Sequence, residues 1–142
     1  MAAEPLIFIS IASYRDPDTQ KTIDSIISRA DKPDNLRICV IEQNDITDKF
    51  RVKSDLPRVR VMRNIKAQGP AWARFLASTL WSGEEYYLQI DSHMTFIRHW
   101  DTVIIEDINK LRDKRVVLTC YPPASLPDDS TPVSSITQNW NF

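Results

Sequence analysis

Two continuous apolar runs, PLIFISIA at 5–12 and LRICVIE at 36–42, constrain this chain more than any other feature of it. Neither alternates as a strand with one wet face would, so each reads as a strand buried on both sides, the pattern of a parallel sheet covered by helices. Between them Ile23, Ile26, Ile27 and Ala30 recur at i, i+3, i+4 and i+7, giving one apolar helical face with Asp18 or Thr19 as its cap and Pro33 as its stop. Strand, helix and strand with such short connections predict a right-handed βαβ unit. At 142 residues the chain is about one domain with one core.

The following segments extend the same pattern. RVRVMRN at 58–64 alternates Arg58, Arg60 and Asn64 with Val59 and Val61, as an edge strand does. After Gly69 and Pro70, Trp72, Phe75, Leu76, Thr79 and Leu80 share one helical stripe that reads as core, and Ser82 and Gly83 end that helix. YYLQID at 86–91 is a further strand, from which the chain emerges at Asp91, Ser92 and His93. Trp100, Val103, Ile104, Ile108 and Leu111 form the apolar face of a third helix leading to a strand, VVLTC, at 116–120. From Tyr121 onward Pro122, Pro123, Pro127 and Pro132 leave no amphipathic period. Residues 1–121 thus read as the α/β part of a larger domain, and 122–142 as a Pro-rich loop or a truncated continuation.

Composition excludes several classes of function. With 18 basic against 19 acidic residues, a generally basic nucleic-acid binder is disfavoured and no nucleic-acid partner is expected. The stretch from Lys49 to Lys66 holds seven basic residues and the single acid Asp55, a bias that either steers a polyanion or keeps an exposed edge from aggregating. Neither Gly69 nor Gly83 belongs to a phosphate-cradling glycine pattern. Cys39 and Cys120 lie in apolar runs and read as buried free thiols, with a disulfide or a reactive thiol as the alternative; free thiols favour a reducing, cytoplasmic setting. The first apolar run is too short to span a membrane and lacks the basic flank of a secretory signal, so no membrane segment is expected.

In an open parallel sheet, ligands bind beyond the carboxyl ends of the strands, where strand order reverses. With the order 3-2-1-4, that crevice lies between the first strand and YYLQID, and the polar clusters SYRD at 13–16 and DSH at 91–93 meet at its mouth. Asp91 and His93 are one residue apart, so an extended exit turns both the same way and lets them share a divalent ion, manganese in preference to zinc. Two protein ligands leave positions for water and for diphosphate oxygens, the openness that a Lewis-acid metal requires. The plainer alternative is that Asp91 caps a turn and His93 is an exposed loop residue.

The blocks IFISIASYRDP, AQGPAWAR and YYLQIDSHMTFIRHWD, which together span residues 7 to 101, resemble the signature of the N-acetylglucosaminyltransferase family that includes the cytoplasmic enzyme modifying hydroxyproline on a protein. The resemblance implies a GT-A fold, a Rossmann-like, mostly parallel sheet with flanking helices. It also implies a UDP-sugar donor, a divalent metal, retention of configuration, and a hydroxyl acceptor on a polypeptide or glycan. On it, Asp91 and His93 occupy a DxD-type motif for metal and donor, with Ser92 between them. Ser13, Tyr14, Arg15 and Asp16 lie against the uridine, and Arg15 pairs either with a phosphate or with Asp16. Gln43 and Asn44 hydrogen-bond the uracil edge or simply form a turn. Gly69 allows backbone to approach the ribose or supplies a left-handed turn, and Arg74 reaches the diphosphate or makes a surface ion pair. Trp100 reads as core, Asp101 as a helix-start acid and His99 as solvated. GT-A domains need a second half that builds the acceptor site, so the expectation for this chain is donor binding without efficient transfer. A module that binds a nucleotide or glycan without turnover is the alternative.

Overall fold

In a computed structural model of the chain, describing residues 6–53, 55–63, 66–111 and 115–120, the two apolar runs become strands β1 (Ile7–Ser13) and β2 (Leu36–Glu42). Helix α1 (Thr19–Arg29) joins them, followed by a short 3-10 turn (Pro33–Asn35). Next come β3 (Val59–Met62), α2 (Pro70–Ser78), β4 (Tyr86–Asp91) and α3 (Trp100–Lys110). The four strands lie in the order β3-β2-β1-β4, and every pairing is parallel. The register sets Ser13 of β1 beside Glu42 and Ala12 beside Asp91, so three carboxyl ends finish level.

Alternation along these strands sends side chains to two faces, and both faces are covered. Ile7, Ile9 and Ile11 of β1 and Leu36, Ile38 and Val40 of β2 pack with Ile23 and Ile26 of α1 and Trp100 of α3. On the opposite face Phe8, Cys39 and Ile41 pack against Ala73 and Ala77 of α2. Complete burial of Ile23 and Ile26 is worth roughly 1.5–3 kcal/mol each. The opposed helices follow from handedness. The chain steps from β1 outward to β2 and β3, then returns across β1 to β4, and right-handed crossovers in opposite directions place their connections on opposite faces. Val52, in the long link from β2 to β3, is buried on the α1 side as that rule requires.

Several sequence expectations are corrected. The core side of α2 is centred on Ala73 and Ala77, flanked by Trp72, Leu76 and Leu80, while Phe75 is 68% exposed and Thr79 is exposed. Small alanines let the helix sit close to the sheet, which turns the bulky stripe partly outward. On α3, Ile104 and Ile105 reach the core and Leu111 is exposed. VVLTC at 116–120 forms no strand, and Val117 is 87% exposed. Its run of β-branched residues encodes a tendency to extend but supplies no partner edge. Cys39 is buried as expected, whereas Cys120 is exposed. The expectations for Asn64 and for 122–142 lie outside the described residues.

Three of the seven basic side chains of the Lys49–Lys66 stretch are tied down. Arg51 donates to the carbonyls of Phe50 and Asp45, Arg58 pairs with Asp34, and Arg63 donates to the Val52 carbonyl and faces the buried Glu42 carboxylate. The junction of α1 and α3 is held reciprocally. Asp101 accepts the backbone N–H groups of Asp31 and Lys32 at 2.9 and 2.8 Å. Asp31 in turn accepts from the Thr102 hydroxyl and lies 2.6 Å from His99 Nδ1. His99 is thus exposed yet partnered, and it has a left-handed backbone with φ of 62°. Among the described residues no helix is long and apolar enough to cross a membrane.

Candidate functional site

The level carboxyl ends of β1, β2 and β4 bring together three polar loops. After β1 the chain turns through Arg15, whose φ of 50° is rare for a residue with a side chain. Two contacts hold that turn: Arg15 N–H donates to Asn44 Oδ1 at 3.0 Å, and its guanidinium donates to Asp48 Oδ1 at 2.9 Å. Arg15 therefore pairs with Asp48 and not with Asp16. Its hydrogen bond to Asp48 raises the guanidinium pKa above its ordinary value. Burial works to raise the Asp48 carboxyl, but the Asp45 N–H and Arg15 outweigh it and leave that group below its ordinary value.

Asp16 links the first loop to the exit of β4. Its Oδ2 accepts from Ser92 Oγ at 2.6 Å and lies 2.9 Å from His93 Nδ1, while Oδ1 accepts the Asp18 N–H. Partial burial pushes this carboxyl up, yet the Ser92 and His93 hydrogen bonds prevail and hold it below the ordinary value. The same contact to Asp16 raises His93 against its own desolvation, with the field of Asp91 adding to the effect. The two clusters that the sequence placed at one mouth are thus hydrogen-bonded to each other.

Asp91 and His93, however, have separate partners. Asp91 is the last residue of β4, and the pleat that puts Tyr86, Leu88 and Ile90 on the α1 and α3 face directs Asp91 toward α2. There its Oδ1 meets Arg74 Nη2 at 2.9 Å. The chain then bends at Ser92 and His93. Thr22 of α1 draws it to the other face, donating its hydroxyl to the Ser92 carbonyl at 2.7 Å and accepting the Met94 N–H at 2.9 Å. Ser25 accepts the Phe96 N–H one turn further along α1. The extended exit assumed from the sequence is therefore replaced by a bend.

The remaining candidates fall as follows. Ser13 is buried, and its hydroxyl bonds to that of Thr19 at 2.7 Å, tying strand to helix. Gln43 N–H donates to the Ser13 carbonyl, and Gln43 Oε1 accepts the Gln68 N–H at 3.1 Å. Gly69 has φ of 91°, with no atom within 4 Å of where a Cβ would stand. Its backbone turn, not crowding by the chain, calls for glycine there. Tyr14, Arg15, Gln43, Asn44, Asp45, Ile46, Lys66 and Ala67 line an open cavity of about 360 Å³.

Three residues escaped the sequence reading. Thr22 is one polar position on an amphipathic helix, and Asp48 lies 33 residues from its partner Arg15. Glu42, buried at the end of β2, accepts the Val52 N–H at 2.8 Å. Only its place as an acid closing an apolar run hinted at it. Among the described residues no three His, Cys, Asp or Glu side chains form a group able to hold a metal. The two donors expected to share an ion are each of a kind that binds one, although each has its own partner. Asp91 is a carboxylate whose side chain is 56% exposed. The Asp16 contact at Nδ1 leaves Nε2 as the other ring nitrogen of His93, the way carboxylates orient metal-binding imidazoles.

The sequence matches the family described as Glycosyltransferase (GlcNAc) over residues 6–58 and 51–139. No curated protein matches at significance. Among solved structures, S. aureus TarS 1-349 is similar with a TM-score of 0.51 and 17% identity over 75% of this chain and 32% of the TarS chain. The match thus spans about a third of that solved chain, and at this identity the likeness concerns the fold.

Proposed function

The chain belongs to the Glycosyltransferase (GlcNAc) family, and on that premise we propose that it carries the donor site of a metal-dependent, retaining transferase moving GlcNAc from a UDP-sugar to a hydroxyl on a polypeptide or glycan. The single observation that supports this most directly is the Asp16 carboxylate bonded to both Ser92 and His93. It joins the loop after β1 to the exit of β4 at the point where strand order reverses, the place where open parallel sheets take ligands.

In this reading the cavity lined by the loops that follow β1 and β2 receives the nucleoside. Tyr14 and Ile46 supply exposed apolar surface, and Asn44 and Gln43 supply polar edges already oriented by backbone contacts. Lys66 adds a positive charge to the lining. Asp91 and His93 would hold the divalent cation once ligand binding draws together the two side chains that the bend at Ser92 now gives separate partners, with manganese favoured by the oxygen and imidazole character of the donors. Negative charge grows on the diphosphate as its bond to the anomeric carbon breaks, and a bound cation supplies the neutralising charge. The chain's own part is to orient: Asp16 fixes the His93 ring, and Thr22 fixes the backbone on either side of it. A cytoplasmic setting belongs to the same proposal, supported by the free thiols of Cys39 and Cys120.

Calorimetry with UDP and Mn²⁺ tests the reading. Binding is expected for the wild-type protein and is expected to fall at least tenfold in Asp91→Ala and His93→Ala, a loss of about 1.4 kcal/mol or more. Equal binding in the variants, or none in the wild type, refutes it. UDP binding with no slow hydrolysis of UDP-GlcNAc by the full-length protein would instead identify a module that binds nucleotide without turnover.

A further inference from the structure

The Arg74–Asp91 pair is an odd element for a site meant to receive a cation. Asp91 presents a solvent-open carboxylate at the end of β4, and Arg74 Nη2 lies 2.9 Å from its Oδ1. A guanidinium at that distance already neutralises the carboxylate, and its field acts well within the screening length of about 8 Å at physiological ionic strength. Arg74 is also incompletely satisfied where it stands. Its Nε is buried and makes no hydrogen bond, and a buried donor without a partner favours any rearrangement that supplies an acceptor.

From these two observations we infer that Arg74 is a resident counter-cation for Asp91, exchanged when cation and diphosphate bind together, so that the ion pair couples the two ligands. The inference rests on the donor-site reading above. A divalent ion approaching Asp91 without nucleotide must displace or tolerate the guanidinium, so it binds weakly alone. A diphosphate offers the displaced Arg74 acceptor oxygens of the opposite charge, including partners for Nε, and thereby frees Asp91 for the ion. The exchange strands no charge in an apolar setting, because the Asp91 and Arg74 side chains are 56% and 35% exposed. Coupling of this kind is reciprocal: UDP tightens the cation by the same factor as the cation tightens UDP.

The test measures Mn²⁺ binding by the electron paramagnetic resonance signal of the free ion, with and without UDP, in wild type, Arg74→Gln, Arg74→Lys and Asp91→Asn. In Arg74→Gln, Mn²⁺ alone is expected to bind about tenfold tighter than in wild type, and the enhancement by UDP to shrink correspondingly. Arg74→Lys keeps the charge and is expected to bind Mn²⁺ alone as the wild type does. Thermal melting checks that each variant folds, and Arg74→Met replaces the glutamine variant if that one does not. Unchanged Mn²⁺ affinity in the charge-removing variant, with binding still lost in Asp91→Asn, overturns the exchange and leaves the donor site standing. Equal tightening in Arg74→Lys also overturns it, since packing and not charge would then be responsible. Wild-type binding in Asp91→Asn overturns the donor-site reading itself, and the exchange with it.

Discussion

Thr22 offers the sharpest check on how the mouth is built. The residue is 1% exposed, and its hydroxyl serves two backbone groups 70 and 72 residues away, the Ser92 carbonyl and the Met94 N–H. Thr22→Val keeps the shape and removes both bonds. The Ser92 carbonyl belongs to a buried residue and loses its partner outright, while Met94 is half-buried and recovers some of its loss from water. A buried group left unpaired costs about 1–3 kcal/mol, so the pair sums to about 2–4 kcal/mol. At about 3–4 °C per kcal/mol for a domain of this size, the melting temperature should fall by about 10 °C. Thr22→Ser keeps the hydroxyl and gives up one methyl group, at about 1 kcal/mol. Urea unfolding followed by tryptophan fluorescence reads the global cost, and hydrogen exchange at the Met94 amide reads the local one. A Thr22→Val protein within 0.5 kcal/mol of wild type, with the Met94 amide still protected, would refute the claim that α1 holds the bend after β4.

Two further outcomes follow from other parts of the molecule. Hydrogen bonds from Thr102 and then His99 hold the Asp31 carboxyl below its ordinary value. Its contribution is therefore present above the unfolded pKa and lost as pH falls through the folded one, so Asp31→Asn should melt lower than wild type at pH 7 and show a flatter acid limb below about pH 4; parallel melting curves would contradict this. Burial pushes the Cys39 thiol up to about 11, whereas Cys120 is exposed. A thiol reagent at pH 8 should accordingly modify Cys120 rapidly in the native protein and Cys39 only after denaturation, and fast reaction at both would show that the β1–β2 core is not closed.

Much of the scaffold was legible because it rests on local pattern. The apolar runs at β1 and β2 could only be buried on two sides, and the helical period of Ile23 and Ile26 supplied the cover for one of them. The strand order then placed SYRD and DSH at one mouth. What the sequence concealed depends on how elements meet. Phe75 is indistinguishable by period from a core residue, and only the close seating of Ala73 and Ala77 against Phe8, Cys39 and Ile41 turns it outward. VVLTC has the composition of a strand, but composition does not provide an edge to pair with. The Arg15–Asp48 pair joins loops that neighbour each other only after β1 and β2 align.

The exit of β4 shows the limit of period arguments most clearly. Counting by two puts Asp91 and His93 on one side, and the count holds only while the chain remains extended. Asp91 is the last residue governed by the pleat and faces α2, where Arg74 meets it. From Ser92 onward, direction is set by whichever neighbour offers hydrogen bonds, and Thr22 and Asp16 both lie on the α1 side. The mouth therefore has two charged lips divided by the end of the sheet, Asp91 with Arg74 on one and Asp16 with His93 on the other. A ligand that engages both must straddle that edge.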